Sequence, residues 1–315
     1  MKAIISTIEE LKSTVKVNAV TQFSVVAPYI QQARDIILVR YLGLELVEIL
    51  EGDTVPDRAK ELLKLTQCAL GPLSIWVGNA ELSVRLSDNG FTVAMKAGEY
   101  GAASDTKIAK VEESLERRGF QYLDQVLEYL EANAADFPEW TNSHSFTLRA
   151  GNYIKSATQF QEIGLVDIDY SRLTFESFRP IMSMIEMRFI TELLGETLDS
   201  TLRSKLNIVQ SVAEKELIGS IRRFVACKTA EIHTSQASKS NRLGSRLQSS
   251  EYKPVIRPLY SDIQNEGNYF AEQGDYFYTK IKQTLNKYAV EFGIEVTSET
   301  MDFNSAESKI FNSFG

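Results

Sequence analysis

Between Phe23 and Leu50 the apolar positions 30, 33, 37 and 38 recur at the spacing of one helix face. The pattern returns without a gap 152 positions later, in Phe175–Leu202. In this frame Phe23 meets Phe175, Pro28 meets Pro180, and Leu42-Gly43 meets Leu194-Gly195. Leu46 and Leu50 meet Leu198 and Leu202, while Ile30, Ile37 and Leu38 meet Met182, Phe189 and Ile190. Proline, Leu-Gly and the leucines falling in one frame mark an internal repeat. Pro28 and Pro180 suit the first turn of a helix, where the missing N–H is not needed. Gly43 and Gly195 stand where one helix can end in a left-handed cap and another begin; alternatively, each admits a close neighbouring helix.

The echo extends to both sides. Ile5–Leu11 and Ile154–Phe160 read as short polar-capped helices. An apolar helix bearing a cysteine follows in each half, at Leu62–Leu73 and Val212–Ile232. A long helix then runs over about Thr106–Ala135 and about Ile263–Phe292. Pro138, in Asp136-Phe-Pro-Glu-Trp140, is expected to stop the first of these. The expected fold is mainly α: two tandem helical modules, 1–145 and 150–315. Small β elements are expected at Leu82–Met95, near Val15–Val17 and near Leu165–Ile168. Ile30, Ile37, Leu38, Leu42 and Leu46 are the expected core of the first module. Met182, Ile185, Phe189, Leu194 and Leu198 are that of the second.

The modules differ in their insertions. In the first, Leu82–Leu86 alternates apolar and polar residues, Asp88-Asn89-Gly90 follows, and Phe91, Val93 and Met95 alternate again. Asn-Gly between alternating runs predicts a β-hairpin over 82–96. It is either a plain surface hairpin or one that adds a strand to a neighbouring subunit. In the second, the Ser-rich stretch Lys228–Pro258 carries Lys228, Lys239, Arg242, Arg246, Lys253 and Arg257 against Glu231 and Glu251. A loop over 233–258 is expected, either solvated or ordering against an acidic partner or DNA phosphate. Candidate interaction residues are therefore Asn89, Gly90, Lys239, Arg242, Arg246, Lys253 and Arg257.

Charge qualifies this picture. The 315 residues carry a net charge of −8, which disfavours a whole-surface nucleic-acid binder. Residues 1–150 hold 15 basic and 21 acidic side chains, and residues 151–315 hold 19 and 21, so the basic stretch lies in the near-neutral half. Glu9 and Glu10 interrupt any signal-peptide apolar region, and no apolar run approaches the roughly 20 residues of a membrane span. Cys68 and Cys227 read as buried free thiols of a protein folded in a reducing cytoplasm.

Catalytic patterns are missing from the sequence: it has no glycine-rich phosphate loop, HExxH or CxxC. His144 and His233 have no partner that the sequence identifies. Asp167 and Asp169 would share one face of a strand and, with Glu162, could bind a divalent ion; capping and turn formation is the plainer role. Glu112, Glu113 and Glu116 beside Arg117 and Arg118 read as a solvated helix face. No enzyme activity, cofactor or metal is expected.

PYI…A…YLG…L…L, the LSDNGFTV hairpin, the GFQYLDQVLEYLE helix, FPEW and SRLTFESFRPI…LLG…L together resemble an uncharacterised family of phages and prophages of gut bacteria. Each half is also similar to the small helical head-to-tail connector, or adaptor, proteins of tailed phages. That resemblance implies a structural virion protein of the neck, made in the bacterial host cytoplasm. It implies a homo-oligomeric ring, a dodecamer, bound beneath the portal protein and to other neck or tail proteins. Double-stranded DNA would pass through the lumen without sequence-specific binding, and no membrane is involved. Two modules per chain is a departure from the small connectors. The alternatives are a non-virion assembly or scaffold module, a tail-completion protein, or a metal enzyme using Asp167 and Asp169.

Overall fold

The computed structural model describes residues 2–16, 22–82, 85–87, 90–92, 105–144, 146–147, 151–239 and 260–294. Helices account for most of them, so the architecture is mainly α. The described residues divide into two units: one reaches to Pro180 and takes in the last three residues of the helix that ends at Lys239, the other comprises Ile181–Gln236 and the chain from Tyr260.

In the first unit, α1 (Ile8–Thr14) starts at a capping box. The Thr7 hydroxyl accepts from Glu10 N at 3.2 Å, and the Glu10 carboxylate accepts from Thr7 N at 3.2 Å, satisfying two donors left over at the helix start. Helix α2 (Phe23–Ala33) runs into a π-helical turn (Arg34–Leu38), α3 (Val39–Leu42) and α4 (Leu44–Leu50). The wide turn keeps one stripe facing inward: Val26, Ile30, Ala33, Leu38 and Leu42 are all buried, with a five-residue step from 33 to 38. Helices α5 (Lys60–Leu82) and α6 (Asp105–Ala132) pack against each other. Their apolar rows are Leu62, Ala69, Leu70 and Leu73 on α5, and Leu123, Val126, Leu127 and Leu130 on α6. Gly119 makes the approach possible, because a Cβ there would stand 2.5 Å from Leu73 Cγ.

The first unit also holds α7 (Pro138–Thr141), α8 (Ala157–Glu162) and the first nine residues of α9 (Arg172–Ile185). Helix α8 is capped as α1 is. Ser156 accepts from Gln159 N at 3.2 Å, and the Gln159 side chain accepts from Lys155 N at 3.0 Å. The start of α9 is tied to α6: Asp124 accepts from Leu173 N and from the Ser171 hydroxyl, both at 3.0 Å. Arg172 reaches Glu128 and Glu131 at 3.2 Å each, on the same α6 face as Asp124.

The second unit continues α9 into a π-helical turn (Glu186–Thr191), α10 (Glu192–Leu194), α11 (Glu196–Ser204), α12 (Val212–Lys239) and α13 (Tyr260–Lys287). Its buried side chains include Leu217, Ile218, Ile221 and Phe224 on α12, and Phe270, Ile281 and Leu285 on α13. Phe224 lies 5.8 Å from Phe189 and 5.2 Å from Tyr278, ring centre to ring centre. Glu216 binds Lys287 at 3.0 Å and Tyr288 at 3.2 Å, tying the start of α12 to the end of α13.

Several expectations are corrected. Pro28 and Pro180 lie inside helices, the sixth and ninth residues of α2 and α9, so each removes a backbone donor from a formed turn. Pro138 opens α7 at its first position, where no N–H is needed; α6 has already ended at Ala132. The second long helix begins and ends earlier than expected, at Tyr260 and Lys287. Val15 forms no strand: it caps α1 through a bond from its N–H to Leu11 O at 3.0 Å, and Val17 lies outside the described residues. Leu165–Ile168 is irregular too, because Gln161 Oε1 takes the Ile168 N–H at 2.8 Å and Asp167 Oδ1 takes the Asp169 N–H at 2.9 Å. These local side-chain bonds offer the backbone a turn instead of a ladder. Asp169 and Tyr170 have φ of 51° and 53°.

In the first insertion, Arg85–Ser87 and Gly90–Thr92 pair antiparallel, with Leu86 opposite Phe91. Leu82 is the last residue of α5. Asp88, Asn89 and residues 93–96 lie outside the described residues. In the second, α12 continues through Lys239, so 233–239 is helix and not loop. Nothing in Thr234–Lys239 breaks a helix; the next glycine is Gly244.

Candidate interaction surface

Each half contains a helical elbow centred on a glycine. Gly43 has φ 84° and ψ 152°, and Gly195 has φ 75° and ψ 153°. The positive φ is that of a left-handed cap, but the extended ψ places both in a region that only glycine occupies readily. Gly43 N–H donates to Val39 O at 3.0 Å, and Gly43 O accepts from Val47 N at 3.3 Å. Gly195 N–H donates to Thr191 O at 2.9 Å, and Gly195 O accepts from Asp199 N at 3.0 Å. One glycine therefore ends a helix and begins the next.

A partly buried ion pair braces each elbow, with its polarity reversed. Arg34 clasps Glu51 through Nε–Oε1 at 3.0 Å and Nη2–Oε2 at 2.7 Å. The matching positions hold Glu186 and Arg203, joined at 2.9 Å. Arg203 Nε also donates to Asp199 Oδ2 at 3.0 Å, and the Thr191 hydroxyl donates to the same oxygen at 2.9 Å. Hydrogen bonds to Glu51, then Asp35, raise the Arg34 pKa. Burial lowers that of Arg203, but its bonds to Asp199 and Glu186 outweigh the burial and hold it above the ordinary value.

The outer faces of the elbows differ. In the first unit, Phe137 and Trp140 close the surface over Leu42 and Leu46, and all four are buried. Trp140 Nε1 donates to Tyr41 O at 3.3 Å, and its ring lies 4.7 Å from Phe146. Ser143 Cβ would stand 2.9 Å from a Cβ on Gly43. Arg58 holds the segment by bonds to Asp136 O and Glu139, and lies 5.3 Å above the Phe137 ring.

In the second unit the corresponding face is a groove of about 430 Å³. Its walls include Leu194, Gly195, Leu198, Lys205, Phe292 and Ile294. Among the described residues, nothing lies within 4 Å of a Cβ placed on Gly195. Phe189, Leu194 and Leu198, expected in the core, are half-buried. The covering segment, distant in sequence, makes the difference at the two leucines. Replacing Leu42 by Ala is expected to cost about 2–5 kcal/mol, and replacing Leu194 only about 1 kcal/mol, in chemical denaturation. Val209, Val212 and Val290 are exposed, and the Ser211 hydroxyl donates at 2.6 Å to Glu291, which lines the groove.

Of the residues singled out from sequence, Gly90 begins the second strand and Lys239 ends α12. Asn89, Arg242, Arg246, Lys253 and Arg257 lie outside the described residues. His144 is exposed, and burial pushes the His233 imidazole below its ordinary value. Burial pushes the Cys227 thiol up to about 12 and raises that of Cys68 as well; neither is in a disulfide. Among the described residues no three or more His, Cys, Asp and Glu side chains gather as a metal-binding group. Also among them, no helix is long and apolar enough to cross a membrane. Sequence reading missed the ion pairs and the groove. The pairs had a signal: in the 152-residue frame, Arg34 meets Glu186 and Glu51 meets Arg203.

A family of unknown function (DUF6712) matches residues 39–150, the stretch from α3 through the first elbow, α5, α6 and the Trp140 segment. No curated protein and no solved structure matches the chain.

Proposed function

We propose that this chain is two tandem copies of one helical module and serves as a structural, non-enzymatic head-to-tail connector of a tailed phage. The observation that carries the duplication is the pair of elbows. The π-helical turn, the glycine with φ near 80° and the reversed ion pair recur at the same 152-residue spacing. Each half also contains a late helix of 28 residues, Asp105–Ala132 and Tyr260–Lys287. The two insertions, the 82–96 hairpin and the basic stretch, are then the parts that diverged.

The connector reading is supported by its motifs and by physical fit. A neck ring closes through heterologous side-to-side contacts, which call for rigid wedges and projecting arms. Braced elbows supply rigidity. A net charge of −8 suits a DNA conduit, because acidic walls do not trap the passing duplex. Arg242, Arg246, Lys253 and Arg257 would then grip an acidic portal surface. Light scattering and negative-stain microscopy of the purified chain, alone and with portal protein, test the reading. Closed rings are the expected result, and monomers under both conditions would refute it.

A further inference from the structure

We propose that the groove over Leu194 and Leu198 docks a segment of another protein that presents an aromatic ring with a lysine or arginine beside it. The inference rests on reading the two halves as copies of one module. In the first unit the corresponding seat is filled, and its filling shows what such a seat takes. Phe137 and Trp140 close it, and the indole N–H donates to Tyr41 O. In the second unit Phe292 follows its 28-residue helix by five residues, as Phe137 does, and lines the groove. Three residues further on, where the first unit has Trp140, the chain has Glu295. The seat therefore has its phenylalanine but no ring at the tryptophan register. Leu194, Leu198 and Leu202 are among the walls of its space of about 430 Å³. In the 152-residue frame the counterpart of Tyr41 O, the indole's acceptor, is Leu193 O.

Charge selects what flanks the ring. In the first unit Arg58 binds Glu139, next to Trp140, at 2.7 Å, so that seat takes an acidic segment. The position of Arg58 is held in the second unit by Gln210, whose amide donates to Lys205 O at 2.9 Å. Leu44 gives way to Glu196, which lines the groove together with Glu291. The groove's lysine, Lys205, is already paired with Glu214. Among the described residues Glu196 and Glu291 have no cationic partner, so a basic segment complements the rim. Val212 and Val290, 75% and 90% exposed, are the chain neighbours of Ser211 and Glu291, which are bonded to each other, and they add apolar surface for a partner to cover. A second copy of the chain is a poor match. Its exposed aromatics among the described residues are Tyr170, Tyr269 and Tyr276, with Asp169, Glu272 and Asp275 one to three residues away.

Methyl NMR on the full chain, titrated with the capped tripeptides Lys-Trp-Lys, Glu-Trp-Glu and Lys-Ala-Lys, tests this. Lys-Trp-Lys is expected to move the Leu194 and Leu198 signals saturably and to bind about tenfold tighter than Glu-Trp-Glu, while Lys-Ala-Lys leaves them in place. Glu196→Gln combined with Glu291→Gln, both at exposed positions, should cut that preference to about twofold or less. No movement at Leu194 with Lys-Trp-Lys would overturn the proposal, whether a second copy or the chain's own remaining residues close the groove. Equal affinity for the two tryptophan peptides, or a preference that survives the double substitution, would overturn it as well. A Trp140→Ala chain separates the proposal from the module equivalence, because its uncovered Leu42 and Leu46 should respond to Glu-Trp-Glu. A response at Leu42 with none at Leu194 would overturn the docking site and leave the equivalence standing; none at either would overturn both.

Discussion

Replacing Arg203 by Met is expected to destabilise the second unit by about 3–5 kcal/mol, among the largest effects of any single substitution in the chain. Glu186 is 2% exposed and Asp199 6%, and the guanidinium serves both. Methionine keeps the length of the side chain but leaves two carboxylates facing each other away from water. The penalty comes from stranded charge, not from lost attraction, so it exceeds the worth of an exposed pair. The first unit suggests the remedy. There the polarity is reversed, and the position of Asp199 is held by the buried Val47. Combining Glu186→Arg, Arg203→Glu and Asp199→Val should therefore recover most of the loss. Thr191 would keep the Glu186 carbonyl as an acceptor, 3.4 Å away. Urea unfolding with hydrogen exchange at 182–190 reads both results. A loss below about 1 kcal/mol for Arg203→Met would mean that water reaches the pair.

How much of this was legible depended on whether the signal was local. The apolar rows that make α5, α6 and α12 are periodic over many residues, so these helices could be read directly. The elbow glycines were legible as helix boundaries, although not in their extended ψ, which no side-chain pattern encodes. The π-helical turns were hidden because a five-residue step, 33 to 38 or 185 to 190, reads as ordinary drift of a helical stripe. Leu42 and Leu194 sit in the same local pattern and differ in burial, since burial is decided by a segment about a hundred residues away. The Asp167–Asp169 turn misled for the opposite reason: alternation suggested a strand, and a side-chain carboxylate captured the backbone first. Of the candidate interaction residues, only Gly90 and Lys239 fall among those described.

Replacing Trp140 by Ala is expected to cost about 3–5 kcal/mol. The indole is 1% exposed, packs at a tilt against the Phe146 ring and donates to Tyr41 O, so truncation removes packing and strands a backbone acceptor at the elbow. Trp140→Phe separates the two contributions. It keeps an aromatic ring over Leu42 and should lose about 1–2 kcal/mol, for the hydrogen bond and the smaller ring. Thermal unfolding followed by circular dichroism gives both values, and Trp76, the other tryptophan, then reports the first unit by fluorescence. A cost of under about 1 kcal/mol for the alanine variant would mean that Phe137 and Phe146 close the surface without it. The stronger consequence is positional. With Trp140 removed, Leu42 and Leu46 should take on the partial exposure of Leu194 and Leu198, because the backbone beneath them is already the same. Faster exchange at 42–47, approaching the rate at 194–199, would then come from the missing cover alone.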